Sequence, residues 1–460
     1  MTALERRIID TRVFQRLRRV KQLGLASLAF PSADYPRFEH SLGVMHLTGR
    51  LLETLQAHGC NGLADTDVQK YRLAALLHDI GHYPFSHAMD DAIGEYYSSL
   101  LLTPAQPREG APPQPQKGLS HEQVGKLVLL KDPELHEVLT QNGYDPLEIA
   151  RIFNREDPNQ RFVNMVSSDL DADRIDYLAR TSCHTGMPYG TTDIDYLIDQ
   201  VFVDDQDRIC FDEKALRSVE HVLLSRYFDY QSVVRHRVVA GMETLLQDAL
   251  RGMLQDSKLE CTKAAVTAMI QNGAWQDFDD LSLMQKLREY EKTNHDQLMA
   301  AKLRCILNRI PPKAVAEAEW FRAPDGAREF QLALGAAKSK LRDWASHFGI
   351  PVEYWFIWEP HKPLEFTKSA PNVPTGVVSH KSDQYQDKYE QSARILRQHA
   401  QSSSAIIEMP RSLMSVLSGY RFYTFRVFVI PPVSGPPVDK PLQRTINEKI
   451  KADCQDILWK

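Results

Sequence analysis

The chain has 460 residues, with 55 Lys and Arg against 60 Asp and Glu, a formal net charge of -5. Apolar residues make up 43% and charged residues 25%, the balance of an ordinary globular protein, and the length calls for two or three lobes. The acidic balance argues against a dedicated nucleic-acid binder, and no apolar run is long enough to span a bilayer, so no membrane partner is expected. Six scattered cysteines form neither a zinc-finger spacing nor a disulfide framework, which fits a reducing cytoplasm.

Met1–Arg7 is charged and has no apolar stretch, so no signal peptide is read. Residues 4–30 read as a helix and its exit, with Ile8, Ile9, Val13, Phe14, Leu17 and Val20 along one face and most of its cations solvated. Asp34-Tyr35-Pro36 marks a turn. Residues 38–58 then form a long amphipathic helix with His40 in its first turn. A second helix over 66–79 runs into His78-Asp79-Ile80-Gly81-His82, where Gly81 and Pro84 predict a helix end. His87 follows, and Asp90 lies one helical turn beyond it, so a carboxylate is expected to orient that imidazole.

Residues 103–118 hold five prolines and predict a surface excursion. Ser120 is a candidate cap for the helix that begins at His121. Residues 146–180 read as helical and end in a run with Asp169, Asp171, Asp173 and Asp176, where interleaved Leu170, Ile175 and Leu178 turn some carboxylates inward. Residues 201–203 and 209–211 predict a small hairpin, and helices resume over 214–256 and 281–308. After Pro311-Pro312 the character changes. A helix over 327–348, strands over 352–358 and 404–408, the strongest strand signal at 420–430 and a last helix near 440–459 are expected, with a polar stretch over 359–403. The expected fold is mainly α, a helical bundle with a small β-hairpin, plus a smaller C-terminal α+β lobe.

His40, His78-Asp79 and an aspartate of the 169–176 cluster fall on separate helices. Two imidazoles and two carboxylates from a bundle make a four-ligand metal site with room for water or phosphate oxygens. Arg37-Phe38-Glu39-His40-Ser41-Leu42-Gly43, His78-Asp79-Ile80-Gly81-His82 and Asp171-Ala172-Asp173-Arg174-Ile175-Asp176-Tyr177 together resemble the HD-domain metal-dependent phosphohydrolases, and within them the deoxynucleoside triphosphate triphosphohydrolase branch. The resemblance implies an HD core over 1–250, with a helical extension over 251–315 and the α+β lobe over 316–460.

By the same resemblance the metal ligands are His40, His78, Asp79 and Asp173, with Asp171 and Asp176 in supporting roles. The ion is a divalent Mn, Fe, Zn, Co or Ni, with Mg arriving on the nucleotide. His87, Asp90 and His121 are implied catalytic groups. Gln22, Leu23, Arg37, His82, Arg174, Tyr177 and Arg226 would bind substrate, the first two crowding a 2′-hydroxyl. Asp10, Gln15 and Arg18 match residues that read a guanine in an allosteric site. The implied reaction converts a deoxynucleoside triphosphate to deoxynucleoside and tripolyphosphate. A homo-oligomer (dimer, tetramer or hexamer) is implied as well, while single-stranded nucleic acid is a partner that nothing indicates.

Two departures stand out: Thr181 replaces a family aspartate that binds the sugar 3′-hydroxyl, and Val234 replaces an aromatic that flanks the base. They keep open a phosphatase or phosphodiesterase acting on another nucleotide or an oligonucleotide, and a non-catalytic nucleotide sensor. His46, His58, His184 and His236 are expected to be structural.

Overall fold

The computed structural model describes residues 1–60, 62–102, 118–157, 160–165, 168–323, 326–367, 391–432 and 437–454. Most of the proline-rich 103–118 stretch, much of the polar 359–403 segment and the end of the expected 440–459 helix lie outside these residues.

Side-chain capping sets where helices begin. Thr2 and Ser120 each form a reciprocal capping box, with Glu5 and Gln123, while Asp171 accepts from the Arg174 amide. Asp171 therefore opens the Ala172–Thr185 helix, and the expected 146–180 helix is divided into Pro146–Phe153, Gln160–Val163 and Ala172–Thr185. The expected N-terminal helix divides too, into Ala3–Ile9, Arg12–Gln15 and a 3-10 turn Arg16–Arg19. Thr11 causes the first break, because its hydroxyl donates to the Ile8 carbonyl at 2.7 Å. The long helices lie close to expectation: Arg37–Ala57, Asp65–Leu77, His87–Leu102, His121–Lys131, Leu216–Asp229 and Arg237–Gln255.

Among the described residues seven strands make two small sheets: β1 (Val201–Val203), β2 (Ile209–Asp212), β3 (Lys313–Arg322), β4 (Trp355–Trp358), β5 (Arg394–Leu396), β6 (Ser404–Ala405) and β7 (Arg421–Val429). The expected hairpin forms, with Phe202 opposite Cys210, and grows into a four-stranded sheet when β5 docks parallel to β2 and β6 follows. The other sheet has β7 in the centre between β3 and β4. β3 escaped the sequence reading, since Ala314, Ala316 and Ala318 dilute its strand signal. It pairs with β7 along nine positions, from Lys313–Val429 to Arg322–Arg421. Residues 352–354 and 406–408 turn into 3-10 helix instead of extending their strands.

One apolar core runs through the helices from Leu4 to Ile306 and takes in Phe366, Ile395, Ile406 and Met414 from the C-terminal part. A second gathers β3, β4 and β7 with the Ala327–Phe348 and Lys440–Asp453 helices. Among the described residues no helix is long and apolar enough to cross a membrane, and none of the six cysteines is in a disulfide.

Candidate active site

Three helices meet around His40. The first turn of Arg37–Ala57 carries it, the C-terminal end of Asp65–Leu77 carries His78, and the first turn of Ala172–Thr185 carries Asp173. The donor atoms of these three side chains lie within 4.8 Å of one another. His40 is fully buried between two carboxylates, its Nε2 2.9 Å from Asp173 and its Nδ1 2.8 Å from Asp176. Asp176 is itself gripped by both arms of Arg180, at 2.8 and 2.9 Å. Gly43 leaves room for this, since a Cβ there would stand 1.8 Å from the Asp176 carboxylate. His78 donates Nδ1–H to the Ala75 carbonyl at 2.7 Å, which fixes the tautomer and leaves Nε2 as a lone-pair donor. That Nε2 is buried and takes no hydrogen bond.

Both imidazoles therefore have one nitrogen tied to a carbonyl or carboxylate and the other aimed at the common centre, the arrangement of metal-binding histidines. The residues fit a divalent transition ion. Burial disfavours a charged His40, but Asp173 and Asp176 outweigh it and push its pKa up to about 10. Their carboxylates hold a proton where a cation would sit, so binding an ion releases it. Asp79 stands at the edge of the trio, 3.2 Å from His78 Nε2 and 3.9 Å from His40 Nε2, and accepts from Arg37 at 2.5 Å. Burial would raise its pKa, but Arg37, His78 and His82 hold it well below the carboxylate range.

Beyond the ligands lies a polar cleft of about 270 Å³, lined by Arg37, His82, His87, His121, Arg174, Tyr177 and Arg226 among others. His82 and His121 stack at 3.8 Å, with His87 edge-on to both. The pairing of Asp90 differs from expectation. It binds His121 Nδ1, on a different helix, at 2.8 Å and stands 3.9 Å from His87. Burial opposes a charge on His121, yet the Asp90 bond and charge prevail and raise its pKa. His82 is driven the other way, by burial and then by Arg37 and His121, so it is neutral. His87 reaches into the cleft with 70% of its side chain exposed. The surrounding protein, then Arg37 and His121, push its pKa down, an effect that cleft water weakens.

The turn from His82 to Ser86 is unusual. Phe85 and Ser86 both have positive φ, at 55° and 54°, which costs free energy in non-glycine residues and must be held from outside. Asp280 holds it, accepting from the Phe85 amide at 2.8 Å and from the Lys21 amide at 3.0 Å. Buried Arg16 donates to the His82 carbonyl at 2.7 Å, and Ser86 bridges Arg37 and the Lys21 carbonyl. Gly81 backs the turn onto the next helix, where a Cβ would fall 2.1 Å from the Gly125 nitrogen. None of Arg16, Ser86 or Asp280 carried a sequence signal for this role.

A second, apolar chamber of about 150 Å³ adjoins the polar cleft, and Gln22, Arg37, His87, Tyr177 and Tyr230 line both. Gln22 and Leu23 reach it because residues 20–22 run beside 35–37, with the Gln22 amide on the Tyr35 carbonyl and the Arg37 amide on the Val20 carbonyl. Its far wall is the π-helical turn Tyr230–Val234, which displaces the chain between two long helices and delivers Tyr230, Val233 and Val234. Sequence reasoning missed Tyr230, Asp229 and Glu243 here. Arg226 borders the polar cleft and donates to the Glu365 carbonyl, and Arg174 is anchored on Asp169.

The Asp10, Gln15 and Arg18 trio is local. Gln15 donates to the Ile9 carbonyl and accepts from Arg18, whose guanidinium lies 3.6 Å over the Phe38 ring. Asp10 is exposed at the end of the first helix. Thr181 spends its hydroxyl on Tyr35 at 2.9 Å. His58 stacks on Phe202, His184 binds the Ser32 carbonyl, and His236 caps the Arg237–Gln255 helix.

Comparison with known proteins agrees with this geometry. Residues 37–181 match the HD domain model and residues 192–311 the HD associated region. The uncharacterized protein YwfO of Bacillus subtilis is 34% identical over 245 residues, 53% of this chain and 50% of that protein. The deoxynucleoside triphosphate triphosphohydrolase SAMHD1 homolog of Dictyostelium discoideum is 31% identical over 255 residues, covering 52% and 45%. The human deoxynucleoside triphosphate triphosphohydrolase SAMHD1 is 29% identical over 290 residues, covering 56% and 43%. The match thus spans about half the length of these relatives. The crystal structure of a hypothetical protein from Aquifex aeolicus shares the fold over 98% of this chain and 96% of that one, at a TM-score of 0.68 and 24% identity. With both regions in sequence order and the paired imidazoles and carboxylates in place, the chain belongs to the HD-domain family.

Proposed function

We propose that the protein is a metal-dependent phosphohydrolase that converts deoxynucleoside triphosphates to deoxynucleoside and tripolyphosphate. One observation carries this reading: a cation-rich polar cleft beside the His40–His78–Asp173 centre shares five lining residues with an adjoining apolar chamber, matching a ligand with a polyanionic and a flat apolar end. A divalent ion held by His40, His78, Asp79 and Asp173 would supply Lewis-acid polarisation of the α-phosphate and a water of lowered pKa.

The chain's own residues do the rest. Arg37, Arg174 and Arg226 neutralise the charge that spreads over the phosphates as the bond to the α-phosphorus forms. His121, whose pKa Asp90 raises against burial, faces the same cleft and gives its proton to the departing 5′ oxygen. Gln22 lines both spaces, and its buried side-chain oxygen takes no hydrogen bond among the described residues. Leu23 and Tyr177 pack against the sugar. The relatives named as triphosphohydrolases support the substrate class.

Incubation of the protein with Mn²⁺ and each of the four deoxynucleoside triphosphates, with products separated by anion exchange, tests this. Deoxynucleoside and intact tripolyphosphate are the expected products. Monophosphate with pyrophosphate, or no turnover, overturns the reading. A second reading, a phosphatase or phosphodiesterase on another nucleotide, is favoured by Thr181, whose hydroxyl is committed to Tyr35 and leaves the sugar side without that aspartate. Turnover of such substrates in place of the triphosphates would establish it. Assembly of identical chains belongs to the same proposal, and light scattering on the purified protein decides it.

A further inference from the structure

We propose that Asp229 is a specificity-determining residue that hydrogen-bonds the 3′-hydroxyl of the bound nucleotide's sugar, and so selects nucleotides that carry it. This rests on the nucleotide reading above and names the part of the substrate that the chamber's buried aspartate recognises.

The chamber walls are Leu23, Ala26, Phe85, Val233, Val234 and Val239. A carboxyl in such a lining is costly unless something satisfies it, and buried acids in proteins are almost always paired. Asp229 is only 7% exposed, yet among the described residues its side chain makes no hydrogen bond and no ion pair. It ends the Leu216–Asp229 helix and caps nothing, for the π turn that follows takes no side-chain cap. A structural purpose would show as a bound amide, a cap or a salt bridge, and Asp280, Asp171 and Asp176 in the same molecule display these in turn. What Asp229 lacks is a ligand group to pair with.

Its place in the fold says which group. With phosphates in the cleft and base in the chamber, the sugar lies where the two spaces meet, at the five residues that line both. Asp229 belongs to that boundary. Tyr230 of the shared set follows it in the chain, and Arg226, about one helical turn before it, lines the cleft. Burial raises the pKa of both Tyr35 and Tyr177, and the charge of Asp229 adds to the rise, so the aspartate stands near both phenols. Thr181 spends its hydroxyl on Tyr35, and Asp176, also near Tyr35, is taken up by His40 and Arg180. Asp229 is the uncommitted carboxyl beside them. Glu243, the chamber's other acid, lies over Gly24 and near Asp91, neither of which lines the cleft.

A deoxynucleotide's sugar, esterified at the 5′ oxygen and joined to the base at C1′, keeps one polar hydrogen, on the 3′-hydroxyl. Either protonation state of Asp229 answers it. An ionised carboxylate accepts the O–H, and a neutral carboxyl accepts it on the carbonyl oxygen or donates to the hydroxyl oxygen. A 2′,3′-dideoxy sugar presents only C–H at that point and leaves the buried carboxyl unpaired, which a site built for a hydroxyl rejects.

The test is the kcat/KM of the full chain on dATP against 2′,3′-dideoxy-ATP, and on dTTP against its dideoxy analogue, for the wild type, Asp229→Leu and Asp229→Asn. Calorimetry of the same proteins with 2′-deoxyadenosine and 2′,3′-dideoxyadenosine accompanies it. The hydroxyl-bearing substrate is expected to exceed its dideoxy analogue by about tenfold or more with either base. Asp229→Leu should collapse that ratio toward one, and Asp229→Asn, which keeps an acceptor oxygen, should fall between. Wild-type calorimetry, which needs no variant to fold, should show the same order. Equal kcat/KM or equal affinity for the two sugars, a preference confined to one base, or a ratio unmoved by both substitutions overturns the inference. If triphosphates are not hydrolysed but 2′-deoxyadenosine still binds in preference to its dideoxy analogue, and Asp229→Leu removes the preference, the proposed reaction falls and this inference stands.

Discussion

The polar cleft and the apolar chamber share five lining residues but are built on opposite terms. In the cleft nearly every functional side chain is held by another: His40 by Asp173 and Asp176, Asp176 by Arg180, His78 by Ala75, Asp79 by Arg37, His121 by Asp90 and Arg174 by Asp169. Preorganisation of that kind suits charge that develops in a fixed place. In the chamber Gln22 Oε1, Asp229 and Glu243 have no such partner among the described residues. Groups left open wait for a ligand to complete them. On the proposed function the cleft would set the reaction and the chamber the molecule that undergoes it.

The largest expected effect comes from removing a ligand. His40→Ala or Asp173→Ala should lower turnover by more than the roughly 100-fold typical of losing an outer partner, and should reduce the metal found per chain by elemental analysis. Nucleoside binding to the chamber should survive in both variants. Loss of nucleoside affinity in parallel with metal would break the division between the two regions.

Asp176→Asn comes next. It keeps the shape but removes the charge behind His40 and strands Arg180, so metal affinity should fall by about 10- to 100-fold with the ligand set intact. Titration of the stripped protein with Mn²⁺ or Zn²⁺ measures this. An unchanged affinity would mean that Asp176 merely fills space beside Gly43.

The same contrast explains what was legible in the sequence. His40, His78-Asp79 and Asp173 could be found because each sits in a short run of rare, chemically specific residues near a helix end, so composition and spacing alone bring them out. The chamber has no such run. Its wall is a π turn, whose extra residue per turn leaves no periodic mark, and its acids lie fourteen residues apart on two helices that meet only after folding. Strand β3 went unseen for a related reason: its alanines suit a helix locally, and pairing with β7 overrides that preference. The His87–Asp90 spacing misled in the opposite direction. One helical turn permits the contact, but His121, brought in from another helix, reaches the carboxylate first.

That triad yields a pH prediction. His121 has a raised pKa because Asp90 outweighs burial, and as the proposed proton donor it would be active when charged. The kcat/KM should therefore fall as pH rises through this raised value, giving an alkaline limb above the ordinary imidazole range. Asp90→Asn removes the charge that lifts it and should move the limb to lower pH, while His87→Asn should leave its position nearly unchanged. The pair also stabilises the fold below the ordinary imidazole pKa, and that stabilisation is lost as pH rises through the folded value, so the melting temperature of the Asp90→Asn variant should differ most from wild type in acid. A limb that moves with His87 and not with Asp90 would assign the proton to the other ring.

The smallest effect should come from Val234→Ala, at the chamber wall. Val234 is half-buried and lines the space on the side where no polar group intervenes. Trimming it removes the equivalent of two methylenes of apolar contact, worth about 1 kcal/mol once partial exposure is allowed for. That corresponds to a rise of about fivefold in KM for every nucleotide alike, with kcat held. Uniformity is the informative part. Apolar contact cannot tell one base edge from another, so a Val234→Ala variant that changed the order of the four nucleotides would show that wall shape governs which base is accepted.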